Sequence, residues 1–361
     1  MGIVIAILVF AFMIMIHEWG HFIVARKNGV FVKEFAFGMG PKIISRTSKK
    51  SGTEYSWRLF PIGGFCSMLG EDEPVSEEGS FSEKSVWRRM AIVAAGPFMN
   101  ILTAFVFTVI LVIMTGYYTP AVRDLNPAGG AAAAGMQTGD TILSIDGKKV
   151  HIYQDLSYIM IDIGEKPTEV VVRHLDGTKE TLIVTPEYSE EDQRYLLGIT
   201  VGAENLGWKD AIAKNGASAI PGLIGSTFRE AFWEMLGNVR LVIRSFVQLI
   251  TGQIGTSQVM GPIGIVQVMD DTYSQAAAIS FRALIVTILS LTAVLSINLG
   301  VMNLFPIPAL DGSHLVFLLI EAIFRKPVNK KVENIIYLVG FVLLLTVMAL
   351  VAYQDIRRIV G

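Results

Sequence analysis

Four long apolar blocks dominate the chain, and most polar residues lie between them. The blocks cover residues 1–25, 90–117, 284–302 and 335–353. A helix needs about 20 consecutive apolar residues to cross a bilayer, so each block predicts a transmembrane helix. The first block does not read as a signal peptide. It has no basic leading segment, and it runs past the length of a signal core without a small-residue cleavage site.

The stretches between the blocks have distinct patterns. Residues 26–50 carry Arg26, Lys27, Lys33, Lys42, Arg46, Lys49 and Lys50, the excess expected of a cytoplasmic loop. Strand-like runs at residues 30–37, 41–46 and 55–59 are punctuated by Gly38, Gly40, Gly52, Gly63 and Gly64. They predict a small β-sheet beside the membrane. Residues 71–83 are acidic and turn-rich, hence a loop. Arg88 and Arg89 set the start of the second span on the cytoplasmic side, and Pro97 near that start is a candidate kink.

Residues 119–204 alternate in short runs, as in a soluble α+β domain. Strands are expected at 141–145, leading into an Asp146-Gly147 turn, and at 169–174, 181–185 and 195–201, with a helix over 155–163. Residues 205–280 form an amphipathic segment. Within it Phe228, Phe232, Met235, Val239, Val242, Phe246 and Leu249 recur at helical spacing. A helix lying in the membrane interface and one packed on the spans are both compatible with this pattern. The third span breaks at Asn303-Leu304-Phe305-Pro306-Ile307-Pro308-Ala309-Leu310-Asp311-Gly312, and a short apolar helix over 313–324 follows. Basic residues at 325–331 return the chain to the cytoplasmic side. Four spans leave both termini outside, an orientation that Arg357 and Arg358 oppose. The organisation expected is 1–118 (two spans and the sheet), 119–204 (soluble domain), 205–280 (interfacial helical segment) and 281–361 (two spans).

Composition agrees with a polytopic α-helical membrane protein. The chain is 52% hydrophobic and only 17% charged, with a mean hydropathy of +0.51. A net charge of −2 and the lack of a basic stripe exclude a nucleic-acid partner. The lone Cys66 excludes an intramolecular disulfide and a cysteine-based zinc site.

The chemistry begins inside the first apolar block, at His17-Glu18-Trp19-Gly20-His21. On a helix, residues four apart share a face, so both imidazoles can hold one Zn²⁺ while Glu18 accepts a proton from water. Ionisable groups within a span are costly and are functional by default. A catalytic zinc site needs a third protein ligand and one open position. Asp311 is the candidate, an acidic group at a helix break near membrane depth, although an Asp there can also simply cap the following helix. Asn303 opens the same segment. Its amide can hold substrate backbone or a developing oxyanion, or it can satisfy carbonyls freed by the break. His314 is not needed as a ligand, and His151 and His174 read as ordinary residues of the soluble domain.

At these residues the chain resembles the site-2 protease family of intramembrane zinc metalloproteases, in its bacterial regulator-of-sigma-E branch. The matching stretches are His17-Glu18-Trp19-Gly20-His21, Glu34-Phe35-Ala36-Phe37-Gly38, Pro61-Ile62-Gly63-Gly64-Phe65, Ala95-Gly96-Pro97 with Asn100 following, Gly261-Pro262-Ile263-Gly264, and the Asn303 to Gly312 motif. The resemblance implies that His17, His21 and Asp311 bind zinc, that Glu18 is the catalytic base, and that Asn303 holds substrate. The sheet carrying Gly63, Gly64 and Phe65 is expected to capture an unwound substrate strand by edge pairing. Substrates implied are single-span membrane proteins such as anti-sigma factors or signal-peptide remnants. The implied location is the bacterial inner membrane, with the active site toward the cytoplasm.

The soluble insert resembles a circularly permuted bacterial PDZ domain at Asn126-Pro127-Ala128, Ala134-Gly135-Met136-Gln137-Thr138-Gly139-Asp140 and Ile145-Asp146-Gly147. Its peptide groove is expected near Tyr195-Leu196-Leu197-Gly198-Ile199, on the extracytoplasmic side. Better-known branch members carry two such domains, and here there is one. Two other classes compete. A metal transporter predicts several ligand pairs along a path, whereas this chain has one compact set. A catalytically dead scaffold predicts missing motif residues, and none is missing.

Overall fold

The computed structural model describes residues 2–71, 73, 75–202, 205–253 and 260–360. In chain order the elements are α1 (Gly2–Lys27), β1 (Val32–Thr47), β2 (Glu54–Met68), α2 (Val86–Thr115), β3 (Tyr117–Tyr118), β4 (Val122–Leu125), α3 (Gly130–Ala133), β5 (Thr141–Ile145), β6 (Lys148–Lys149) and α4 (Tyr153–Met160). There follow β7 (Thr168–Arg173), β8 (Lys179–Val184), β9 (Glu187–Ser189), β10 (Arg194–Leu196), β11 (Ile199–Val201), β12 (Asn205–Leu206), α5 (Trp208–Asn215), α6 (Ile220–Ile250), α7 (Pro262–Ile279), α8 (Phe281–Leu304), α9 (Asp311–Phe324) and α10 (Lys330–Val360). Among the described residues, four helices are long and apolar enough to cross a membrane: α1, α2, α8 and α10. They are the four expected blocks with moved ends: α2 starts four residues earlier and stops two short, and α10 starts five residues earlier and runs seven further. The fold class is that of a polytopic membrane protein with a membrane-associated sheet and a small α+β domain.

The chain divides into two units, residues 1–104 with 242–361, and residues 105–241. In the first unit α1 is gripped on two sides. Ala6, Val9 and Met13 pack with Met269 of α7 and with Leu295 and Leu299 of α8. Ala25 packs with Val32, Cys66 and Met68 of the strands and with Ile92 of α2. Close helix approach depends on small residues, as it does wherever lipid supplies no hydrophobic drive. A Cβ on Gly20 would collide with the Ala95 carbonyl, and one on Gly300 of α8 would meet the Pro97 carbonyl. The buried Asp355 near the end of α10 accepts the backbone N–H groups of Gly261 (3.1 Å) and Gly264 (2.9 Å) at the start of α7. Helix α2 runs through Pro97 without a break.

The sheet differs from the separate strands expected. β1 and β2 are two long ribbons that each fold back, so that one stretch pairs twice. Phe35 lies opposite both Cys66 and Tyr55, and Phe37 opposite both Gly64 and Trp57, while Trp57 also faces Ile44. The resulting order is 64–67, 34–37, 54–57, 44–47. The bends sit at Gly38 (φ 82), Gly40 (φ 86) and Gly63 (φ 91), a backbone region open to glycine at no steric cost. These glycines lie within strands, although their spacing predicts strand ends.

In the second unit β6-β5-β7-β8 form an antiparallel sheet. Its residues Ile142, Ile145, Val170, Val172, Leu182 and Val184 are buried with Leu156 of α4. The expected turn is present: Asp146 (φ 46) and Gly147 (φ 73) both take positive φ, as a two-residue hairpin turn requires. The single strand expected over 195–201 is instead β10 and β11, parted at Gly198 (φ 76). There the Leu197 carbonyl accepts from Ala131 N–H at 3.1 Å, and the Gly198 carbonyl from Asn126 N–H at 2.9 Å. Ile142→Ala removes a fully buried side chain from this core and is expected to lower its unfolding free energy by about 2–5 kcal/mol. Denaturant unfolding followed in parallel with bound zinc should show the loss without a change in metal content.

Candidate active site

His17 and His21 stand one helical turn apart on α1, both about 8% exposed. They face α2, where Gly96 leaves them room: a Cβ at Gly96 would collide with Nε2 of each ring. Nδ1 of His21 hydrogen-bonds to the Ile92 carbonyl at 2.9 Å. A carbonyl only accepts, so this imidazole carries its proton on Nδ1 and leaves Nε2 free as a donor of electrons. The amide of Asn100, also on α2 and fully buried, lies 3.3 Å from Nδ1 of His17.

Asp311 arrives from the far end of the sequence. Helix α8 ends at Leu304, and the chain turns through Pro306, Pro308 and Ala309, whose φ of 74 places it in the left-handed region. That conformation costs a residue bearing a Cβ roughly 1–2 kcal/mol. α9 then starts at once, packed so tightly on the end of α8 that a Cβ at Gly312 would collide with the carbonyls of Leu304 and Phe305. The N-cap is Leu310, and Asp311 is the first helical residue. The capping alternative for Asp311 therefore fails, and its carboxylate turns toward α1. The positive end of the α9 dipole favours it as an anion.

Oδ2 of Asp311 lies 3.0 Å from Nε2 of His17 and 3.5 Å from Nε2 of His21. The two Nε2 atoms are 3.1 Å apart. Oδ2 is buried and has no properly directed hydrogen-bond donor, despite its closeness to both rings. A tetrahedral zinc with ligand bonds of about 2.0–2.1 Å holds its ligands about 3.3 Å apart. Three electron-pair donors on a triangle of that size fit such an ion. No other cluster of three such residues occurs among the described residues.

One cleft is lined by His17, Glu18, Gly63, Gly64, Asn303 and Asp311. Six residues expected at the site, from separated stretches of the sequence, thus line one cleft. The backbone N–H of Cys66 on β2 lies on the Glu18 side of that strand, as an interaction favouring the Glu18 carboxylate. Phe65 does not line the cleft; its ring lies under the Arg58 guanidinium, 4.8 Å from the centroid. His314 stands outside the triangle, its ring edge-on to Phe81. In the second unit His151 stacks on Trp233 and His174 bonds to Asp140 (2.8 Å) and Glu180 (3.0 Å), which raise its pKa. Pattern reading missed the Ile92 carbonyl and the Cys66 N–H, which are backbone groups and leave no trace in residue type. It assigned no role to Asn100, although a buried amide in an apolar span was a signal.

Apolar span-length helices enclosing this donor triangle and a neighbouring glutamate define a membrane-embedded zinc metalloprotease. The chain belongs to peptidase family M50, whose pattern matches residues 5–347. It is 34% identical over 355 residues to a candidate zinc metalloprotease of Clostridium acetobutylicum, covering 98% of this chain and 97% of that one. It is 28% identical over 436 residues to RasP of Bacillus subtilis, named as a regulator of sigma-W protease, covering 98% and 97%. Among solved structures, the PDZ domain of an SdrC-like protein from Listeria monocytogenes matches 24% of this chain and 87% of its own at 22% identity, with a TM-score of 0.20. Zinc is the cofactor. Gly96→Ala is expected to push both imidazoles off the triangle and weaken zinc retention about tenfold or more, measured by metal analysis after dialysis against a graded chelator.

Proposed function

We propose that the protein is an intramembrane endopeptidase that cuts single-span membrane proteins, with His17, His21 and Asp311 as its zinc ligands and Glu18 as its general base. The observation that carries this reading is the triangle of His17, His21 and Asp311 donor atoms, with edges of 3.0, 3.1 and 3.5 Å, opening on the cleft that also holds Glu18. Zinc bound there would supply a Lewis acid that acidifies water and polarises a peptide carbonyl.

The chain's own residues do the remaining work. Glu18 takes the proton from the attacking water and passes it to the leaving amine. A substrate helix must first unwind, because its carbonyls are bonded within the helix. Residues 64–67 form an outer edge of the folded ribbon, pairing only with 34–37 among the described residues. Gly63 and Gly64 bring that edge to the cleft, so an extended substrate strand can add to it by backbone pairing. Asn303, which also lines the cleft, would bond substrate backbone. Phe65 would act through the edge it belongs to, with no contact in the cleft.

Anti-sigma factors or signal-peptide remnants fit as substrates; the relative from Bacillus subtilis bears the name of a sigma-W regulator. The basic residues at 26–50 and at Arg88 and Arg89 support an orientation with the cleft toward the cytoplasm of a bacterial inner membrane. Residues 119–204 would then be an extracytoplasmic PDZ domain that takes a peptide ligand. Glu18→Gln should keep its zinc but lose cleavage by about 10²–10⁴-fold on a single-span reporter in proteoliposomes. His17→Ala and Asp311→Ala should lose the metal, and chelation should stop cleavage by the native protein. Native-rate cleavage by Glu18→Gln, or full zinc content in Asp311→Ala, would overturn the assignment.

A further inference from the structure

Asn100 is fully buried in α2, and it is held from behind. Its backbone carbonyl accepts the Ser296 hydroxyl of α8 at 3.1 Å, and a Cβ on Gly300 would stand 3.3 Å from its own Cβ. Its side-chain amide meets Nδ1 of His17 at 3.3 Å, and its Oδ1 has no hydrogen-bond partner. No other group among the described residues bonds to either end of this amide. The two ends have nearly the same shape, so a half-turn about the Cβ–Cγ bond exchanges them in the same space. One end is unpaired in either orientation, and the imidazole decides between them.

An amide N–H pointing at Nδ1 requires a lone pair there. The ring proton would then sit on Nε2, which faces Asp311 at 3.0 Å. A protonated Nε2 cannot bind a metal. With Oδ1 turned toward the ring, Nδ1 carries the proton and Nε2 presents its lone pair to the triangle. His21 has no such choice, because its Nδ1 partner is the Ile92 carbonyl.

We propose that Asn100 is a positioning residue of the metal centre: its side-chain oxygen accepts the Nδ1–H of His17 and fixes the tautomer that can bind zinc. The inference rests on the reading of His17 as a ligand. It makes the two histidines unequal, one set by a backbone carbonyl that no substitution removes, the other by a single side chain. Removing such a partner typically costs 10–100-fold in metal affinity.

The test is zinc affinity by chelator competition on the full-length protein in detergent. Asn100→Leu keeps the size and removes the acceptor; Asn100→Asp keeps the acceptor. Leu should weaken zinc binding about 10–100-fold, and Asp should stay within about threefold of the native value if a carboxylate substitutes for the amide as such acceptors do. Native affinity in Asn100→Leu, or equal loss in both variants at unchanged helicity and melting temperature, would overturn the proposal. The native protein gives a readout that needs no variant. With ¹⁵N-labelled histidine, zinc loading should produce two slowly exchanging Nδ1–H signals, from His17 and His21, and a protected signal from His21 alone would overturn it. Were His17→Ala to bind zinc normally, the ligand assignment itself would fall, which the Asn100 variants alone would not bring about.

Discussion

Two imidazoles and a carboxylate converge within a set of apolar helices, and the rest of the first unit is arranged around that meeting. Each of these groups is expensive where it sits. A charged residue at the centre of a span costs about 2.5–3.5 kcal/mol on insertion scales, and a buried polar atom without a partner costs a further few kcal/mol. Oδ2 of Asp311 is buried without a directed donor, and Nε2 of His17 and His21 face each other at 3.1 Å. The contact between the two rings leaves the Asp311 oxygen without a directed donor. A divalent cation bound by all three would offset the cost for them together, which would tie the local fold to the metal.

That requirement explains where the glycines fall. Gly20 lets α1 approach the backbone of α2, Gly96 makes space for both rings, and Gly300 lets α8 press on α2 behind Asn100. Gly312 lets α9 begin directly on the last carbonyls of α8. A side chain at any of these positions would push one wall of the site outward by an atom's width. The glycines of the ribbon serve a different end. Gly38, Gly40 and Gly63 bend β1 and β2 back on themselves, which leaves residues 64–67 as an outer edge beside α1 and brings the Cys66 N–H to Glu18.

The helical framework was legible because four apolar blocks have no other stable form in a bilayer. His17, Glu18 and His21 were legible because three ionisable groups in one turn of such a block need a common reason. Asp311 could be located but not resolved from a helix cap. The capping alternative turns on whether Leu310 or Asp311 is the N-cap of α9, a difference of one residue that pattern does not decide. The ribbon was misread as short strands because Gly inside a strand and Gly at its end look alike in sequence. Only the double pairing of Phe35 and Phe37 separates the two. The same ambiguity joined β10 and β11 into one strand across Gly198. Ile92 and Cys66 act through backbone atoms, which no residue pattern reports.

Two of the three donors share one helix, so α1 fixes their spacing and only one quantity is left to set: the position of the first turn of α9. Three contacts set it. Gly312 seats the start of α9 on the end of α8. Gly340 of α10 comes so close to Pro308 that a Cβ there would collide with the proline ring, which holds the turn leading into Asp311. Ten residues further on, about 15 Å along the helix, Glu321 forms a two-pronged ion pair with Arg89 of α2. The helix is thereby pinned at both ends, to α8 and α10 at one and to α2 at the other. Since α2 also carries Ile92 and Asn100, the pair at the far end of α9 and the partners of both imidazoles share one rigid body. Any tilt of α9 against α2 would move the carboxylate relative to the rings and to their supports together. A site built from two distant stretches of sequence thus keeps its geometry through a single helix that touches both.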